Sequence, residues 1–396
     1  MSYQTAKPAI LLTLAASLIY GVSSGIRANY GILLGPVSQN SGVDYASVSF
    51  VLAAAQLSFG IMQPVFGILA MRRSSSFVLR LGVGLMASGL LFLPFCKSFW
   101  TLLIVLGLVL PSGTAALAFG IVMGVLTNKM PRRHVTTASG VVTASAGVGS
   151  TVIAPVMQAF TAALGLLGTM VFLSIPAILL FPVAVYLCRP IKAAIAEEKT
   201  AETFQLAALV QEAVKNRDYR FLLAGFFTCG FHMAIIETHF YSQITTFGFP
   251  ERTAAYAISV YGVAAMLGAV LSGGLCGRYA MKNVLAALYA SRVVMVLAFL
   301  ILPKSIVTVF AFAILLGLTG NATVPPTSGL TERLFGAAKL GTLFGVVFFS
   351  HQIGSFFSAW LGGICLSASG SYTFIWLADA ALSLMAAVAS FCIRLL

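Results

Sequence analysis

The chain has 396 residues, of which 59% are hydrophobic and 8% charged, and its mean hydropathy is +1.00. Soluble domains carry about a quarter charged residues, so a surface this apolar excludes a water-soluble protein and calls for lipid as solvent. The net charge of +13 does not mark a nucleic-acid binder, because the basic residues stand in short loops between apolar runs, and six scattered cysteines without CxxC or CxxxC spacing argue against a disulfide or metal framework.

One membrane crossing takes about 20 apolar residues. The first apolar run is too long for a signal-peptide core and lacks a small-residue cleavage site. In chain order twelve runs meet the length: 9–34, 44–70, 76–96, 99–126, 135–161, 165–188, 220–246, 252–276, 283–303, 306–330, 339–366 and 371–394. With the N-terminus placed inside, 18 of the 23 Lys and Arg fall in inside segments, and only Lys97, Arg252 and Lys304 fall outside. Cytoplasmic loops are the basic ones, so both termini are expected in the cytoplasm. The expected fold is therefore all-α and integral to the membrane, with twelve transmembrane helices.

Residues 189–219 interrupt the pattern. They hold Glu197, Glu198, Glu202, Glu212 and Asp218 and read as a cytoplasmic linker with a short surface helix near 207–214. The expected divisions are 1–188, 189–219 and 220–396, six spans on either side of the linker.

The two six-span segments repeat a motif. Gly67-Ile-Leu-Ala-Met-Arg72 follows the second run, and Gly273-Gly-Leu-Cys-Gly-Arg278 follows the eighth, 206 residues later. Paired segments of this kind build many secondary transporters, with the substrate near the midplane. The pair resembles the loop signature G-x-L-a-D-R-x-G-R/K-R/K of the major facilitator superfamily. Met71 and Gly277 stand where that signature has Asp, and Ser74 where it has Gly. The resemblance implies alternating access between two six-helix halves.

A narrower resemblance is to oxalate/formate antiporters and monocarboxylate porters. The helix-1 segment Gly25-Ile-Arg27-Ala-Asn-Tyr-Gly-Ile-Leu-Leu-Gly-Pro36 looks like theirs, and it implies that Arg27 contributes to the substrate site. Gly345-Val-Val-Phe-Phe-Ser-His351 puts His351 where the antiporters have a lysine. The porters carry an arginine in helix 8, and Val263 to Leu271 contains none.

Ionisable groups at membrane depth cost about 2.5–3.5 kcal/mol each for Arg at a helix centre, which makes them the candidates for function. Arg27 lies towards the outer half of the first run and shares a helical face with Ser23 and Tyr30. A guanidinium donates two parallel hydrogen bonds to a carboxylate; the plain alternative is a structural ion pair or a snorkelling side chain. Glu237, at similar depth in the seventh run, is the expected partner for an outer gate with Arg27, or a proton site. His351 and His232 lie near the midplane and suit anion or proton binding, against the simpler role of hydrogen-bonded structural imidazoles. His239 is expected on the same face as His232. Gln56, Gln63, Gln352 and Asn321 add polar atoms that line the pathway or join helices. Arg292 and Asp379 come out at matching depths and are expected to form a structural ion pair.

The expected substrate set is Arg27, His351, Tyr30, Gln352 and Asn321, with Glu237, His232 and His239 in coupling or gating. The expected activity is secondary transport of a small organic anion, a mono- or dicarboxylate, coupled to protons or to exchange. No cofactor, metal or nucleic-acid partner is expected, and the setting is a monomer in the lipid bilayer of a bacterial cytoplasmic (inner) membrane. The rivals are an exporter of hydrophobic or drug-like compounds in the same fold and, more remotely, a membrane enzyme or scaffold. No nucleophile–base constellation, phosphate loop or metal-ligand spacing supports an enzyme.

Overall fold

The computed structural model describes residues 6–127, 129–130, 132–189 and 206–394, and every regular element among them is helical. Eleven helical stretches among the described residues are long and apolar enough to cross a membrane. The chain divides into two compact units, Met1–Thr200 and Ala201–Leu396.

The first unit opens with α1 (Ala6–Ala28) and α2 (Tyr30–Ser41), followed by α3 (Tyr45–Arg72) and α4 (Ser75–Phe92). A fourth apolar stretch contains α5 (Phe99–Ile104), a π-turn at Val105–Val109, α6 (Leu110–Ala116) and α7 (Phe119–Thr127). The longest helical run, α8, covers Arg132–Cys188.

The expected run 9–34 is therefore two helices that extend to Ser41. The break is chemical. The Asn29 amide nitrogen bonds back to the Ile26 carbonyl at 3.3 Å, which leaves the Gly25 carbonyl without its helical donor. The Asn29 side-chain amide takes that carbonyl at 2.7 Å and the Ser150 carbonyl of α8 at 3.1 Å. Freed backbone groups at membrane depth must be met in this way.

The α8 run is not straight. Gly165 has φ 65 and ψ −170, a conformation open to glycine because it has no Cβ. Phe160 and Phe172 stack with centroids 3.7 Å apart, although twelve residues of continuous helix would separate them by about 18 Å. Thr161 and Thr169 hydroxyls meet at 3.2 Å. The chain folds back on itself at Gly165, so the expected 135–161 and 165–188 runs form a hairpin with no loop between its legs.

The second unit starts with α9 (Leu206–Lys215), which is amphipathic and buries Leu209 and Ala213. Residues 190–205, with Glu197, Glu198 and Glu202 of the expected linker, lie outside the described residues. Next come α10 (Arg217–Ile235), a π-turn at Ile236–Phe240 and α11 (Tyr241–Thr246), then α12 (Glu251–Cys276) and α13 (Met281–Ile301). A broken span holds α14 (Ile306–Gly320), a 3-10 turn at Asn321–Thr323 and α15 (Val324–Phe335); α16 (Ala337–Ser369) and α17 (Thr373–Phe391) complete the unit. Pro325 and Pro326 lack the N–H groups that would reach the carbonyls of Asn321 and Ala322. The Ser272 hydroxyl of α12 supplies a donor to Ala322 instead, at 2.6 Å.

The irregularities recur along the chain at the spacing of the loop motif. Asn29 and Ile235, where α1 and α10 give way, are 206 residues apart, and so are Ala116 and Ala322 at the two broken spans. Packing repeats as well. In the first unit α1 lies against α8 through Gly21, Gly25 and Gly149, and in the second α10 lies against α16 through Gly230 and Gly354. In each pair a Cβ on the glycine would land on the backbone of the facing helix.

Helix ends are met locally. The Asp44 carboxylate caps α3 by accepting from the Ser47 amide at 2.9 Å. The Ser47 hydroxyl and amide hold this carboxyl below the usual range. A depressed folded pKa gives stability above the unfolded value of about 3.9, lost as pH falls through the folded value. Asp44→Ala should lower unfolding stability by about 0.5–2 kcal/mol at neutral pH, and by less in acid, in a thermal melt. Lys97 reaches the Asn40 carbonyl at 2.7 Å, and Lys304 reaches the Leu302 carbonyl at 2.8 Å. Two of the three basic residues expected outside therefore serve helix ends, where cations are favoured.

Candidate functional site

In the first unit Arg27 sits in the last turn of α1, directly before the break at Asn29. Its Nη1 donates to Gln56 Oε1 of α3 at 2.9 Å, and its guanidinium lies 4.6 Å from the centre of the Phe59 ring. Gln56 and Phe59 are buried while Arg27 is half-buried. An amide oxygen and a ring face orient the fork without themselves carrying a negative charge. In the sequence Gln56 stands out only as a pathway or interhelical residue, and Phe59 does not stand out at all. Three residues apart, they occupy one face of α3.

Across the break, Ser23 and Tyr30 both reach Thr114, and Arg27 acts electrostatically on Tyr30. Tyr30 lies beyond Asn29, whose φ −110 and ψ 14 leave the helix. Ser23 Oγ donates to the Thr114 carbonyl at 3.4 Å. The Tyr30 hydroxyl is buried beside Thr114.

In the second unit the π-turn carries Glu237 and His239. A π-turn inserts a residue into the helix and re-aims those around it, so the seven-residue spacing of His232 and His239 does not translate into a common set of partners. His239 Nε2 bonds the Ala359 carbonyl of α16 at 2.7 Å, with the ring beside Tyr372. His232 Nδ1 lies 2.7 Å from Asp379 Oδ2 of α17. Glu237 is half-buried on the turn.

Arg292 and Asp379 interact electrostatically, as expected of a pair, but each makes its hydrogen bonds elsewhere. Asp379 is joined to His232, in a pair with neither side chain exposed. Arg292 Nη2 instead donates to the Thr319 and Gly320 carbonyls at 2.6 and 3.0 Å. These are the last carbonyls of α14, at the turn that follows, and a cation is stabilised at a helix C-terminus. His232, Arg292 and Asp379 are all 0% exposed. They lie on α10, α13 and α17. The depth of each is legible in the sequence; which helices touch is not.

His351 is half-buried on α16, with its ring stacked on Phe348 at 5.4 Å and beside Phe226 at 5.2 Å. Its Nδ1 is 3.5 Å from Ser355 Oγ, which donates to the Gly230 carbonyl at 3.0 Å. Gln352 is buried with Oε1 unpartnered, and Asn321 opens the 3-10 turn with an exposed side chain.

A family profile, the Major Facilitator Superfamily, matches residues 16–305 and 245–396. The chain belongs to the Major Facilitator Superfamily. Its relatives in this superfamily are transporters, not enzymes. The MFS-type transporter YcxA of Bacillus subtilis (strain 168) is 22% identical over 358 residues, covering 89% of this chain and 87% of YcxA. The probable transporter MCH2 of Saccharomyces cerevisiae is 25% identical, covering 84% and 70%. Monocarboxylate transporter 12 of Homo sapiens is 24% identical, covering 83% and 69%. Among solved structures, an aspartate-to-alanine mutant of the nucleoside transporter NupG superposes with a TM-score of 0.77 at 15% identity, over 97% of this chain and 100% of NupG. A bacterial homologue of the human lysosomal transporter Spinster also gives 0.77, at 14% identity over 99% and 97%. At these identities the two structures speak for the major facilitator fold alone.

Proposed function

We propose that this major facilitator protein is a secondary transporter of small organic anions, mono- or dicarboxylates. The observation that carries the reading is Arg27: a guanidinium at a helix break, held in place by an amide and an aromatic face. Discontinuous helices mark substrate sites in transporters, and a pre-oriented fork suits a carboxylate. The relation to a monocarboxylate transporter supports the same substrate class. His351, in its aromatic bed, is the second anion contact, with Tyr30, Gln352 and Asn321 as accessory polar groups. Glu237 serves gating.

The α8 hairpin supports a count of twelve crossings, because its 52-residue apolar stretch is roughly 78 Å of helix against a hydrocarbon core of about 30 Å. An even count agrees with both termini on one side, and the basic loops support that side being cytoplasmic. The protein works as a monomer in a bacterial cytoplasmic membrane, by alternating access with proton coupling or anion exchange.

The test is thermal stability of the purified protein against carboxylates, amino acids, sugars and cationic drugs. A ligand at a hundredfold its Kd stabilises by about 2.7 kcal/mol. Lactate, pyruvate or oxalate should raise Tm, and Arg27→Gln should remove the shift, since a hydrogen bond to a charged group contributes about 1.5–3 kcal/mol. Glu237→Gln should leave the shift in place while slowing transport, as a gating group outside the anion contact would. Stabilisation by bulky apolar compounds alone, indifferent to Arg27→Gln, would leave the drug exporter as the function.

A further inference from the structure

Two buried histidines in the second unit differ in one respect. His239 has no nitrogen among the unpartnered buried atoms, and His232 does. His232 Nε2, Asp379 Oδ1, Arg292 Nε and Nη1, and Ser383 Oγ are all buried without a hydrogen bond. Ser383 is one turn along α17 from Asp379. A network whose only task is to pin helices together would leave few such atoms, because each buried unpaired polar group costs about 1–3 kcal/mol.

The charge balance is specific. Arg292 carries one positive charge and Asp379 one negative, and the two interact electrostatically. In the neutral tautomer that donates Nδ1–H to Asp379, the unpartnered Nε2 is a lone-pair acceptor oriented by a carboxylate. The groups facing the pair are few. On α10, Cys229 lies one turn away and touches Arg292 Nη2 at 3.8 Å and Thr323 Oγ1 at 3.0 Å. From α13 come Arg292 and Tyr289, whose hydroxyl donates to the Gly225 carbonyl at 2.6 Å. The α14–α15 break offers Thr319 and Thr323. From α17, Trp376 stands beside the His232 ring and gives its Nε1–H to Gln243. His351 of α16 lies against Phe226, and Glu237 is on the π-turn.

We propose that His232 and Asp379 form a proton-binding site of this transporter, with Arg292 as the positioning cation. A proton delivered by water bonds to the lone pair of His232 Nε2. The ring becomes an imidazolium whose Nδ1–H stays on Asp379, and the cluster passes from net zero to one positive charge. On release the Nε2–H bond breaks, and the proton leaves to water on the other side. Loading alters the attraction among α10, α13 and α17, three helices that each bring one ionisable group. The Arg292 bonds tie the same cluster to the broken span between α14 and α15. The inference rests on the transporter reading but not on the substrate being a carboxylate.

Ring-¹⁵N histidine NMR of the full-length protein in nanodiscs tests the site without a substrate. Signals are assigned by elimination with His134→Gln, His239→Gln and His351→Gln. The His232 Nε2 resonance should move from the unprotonated to the protonated position as pH falls from neutral to the limit at which the protein stays folded. Asp379→Asn should shift the midpoint of this change downward. A His232 signal that stays in one state across this range in the folded wild-type protein overturns the proposal. In proteoliposomes containing a pH dye, with lactate as the probe, His232→Gln should lose protons moved per lactate moved. An unchanged ratio also overturns it. If wild-type protein moves no lactate, pyruvate or oxalate, the carboxylate reading falls, while the ring titration still decides the proton site.

Discussion

Gly149→Ala should unfold the first unit far more readily than Gly140→Ala in the same helical run. The new Cβ would land on the carbonyl oxygen of Gly21, a backbone atom that no rotamer change can move aside. The helices must separate, and the Gly25 contact with the same segment is lost with them. Overpacking of this kind costs about 1–3 kcal/mol and occasionally more. Gly230→Ala should behave alike in the second unit, where the obstacle is the His351 carbonyl. Gly140→Ala and Gly345→Ala are the controls, because a Cβ at either position meets nothing within 4 Å. They should be neutral or stabilising by up to about 1 kcal/mol, from helix propensity alone. Thermal melts of the four variants in one detergent compare them directly. Equal Tm values for Gly149→Ala and Gly140→Ala would show that α1 and α8 do not pack through these glycines.

Asp379→Leu should be the most damaging substitution in the buried cluster. It removes the acceptor of His232 and the charge opposite Arg292, while both partners remain at 0% exposure. Breaking a buried pair from one side costs about 3–5 kcal/mol, because the remaining charge has no compensation. Replacing all three groups together, as His232→Leu, Arg292→Met and Asp379→Leu, should recover part of that loss, since an apolar trio of similar volume leaves no charge behind. Recovery should stay incomplete, because Arg292 also donates to the carbonyls of Thr319 and Gly320. Unfolding of the single and triple variants, read from Trp376 fluorescence in a Trp100→Phe, Trp360→Phe background, measures both steps. A triple variant no more stable than Asp379→Leu alone would mean that the electrostatic penalty is minor.

The helical class and the family are legible from hydropathy and from the loops at Gly67 and Gly273, because apolar length and charge placement are local properties of the chain. The break at Asn29 is less so. An Asn in an apolar run is a weak signal until the carbonyl of Ser150 on another helix is known to take its amide. The hydrogen-bond partner of Asp379 escapes the sequence for the same reason. Depth along a helix follows from residue counting, but azimuth and neighbour do not, and both the π-turn at Ile236–Phe240 and the contacts of α17 alter them. The Gln56 contact to Arg27 depends on α1 meeting α3 at one particular height, which no periodicity specifies.

The fold-back at Gly165 has a consequence for how the chain enters a bilayer. With Phe160 stacked on Phe172 and no loop between the legs, the turn leaves few residues to separate the making of the first leg from that of the second. A turn this short favours entry of the two legs as a pair. Arrest of synthesis after the first leg alone would then leave a segment that has nowhere stable to rest, and the cell's membrane-protein quality control would meet it there first.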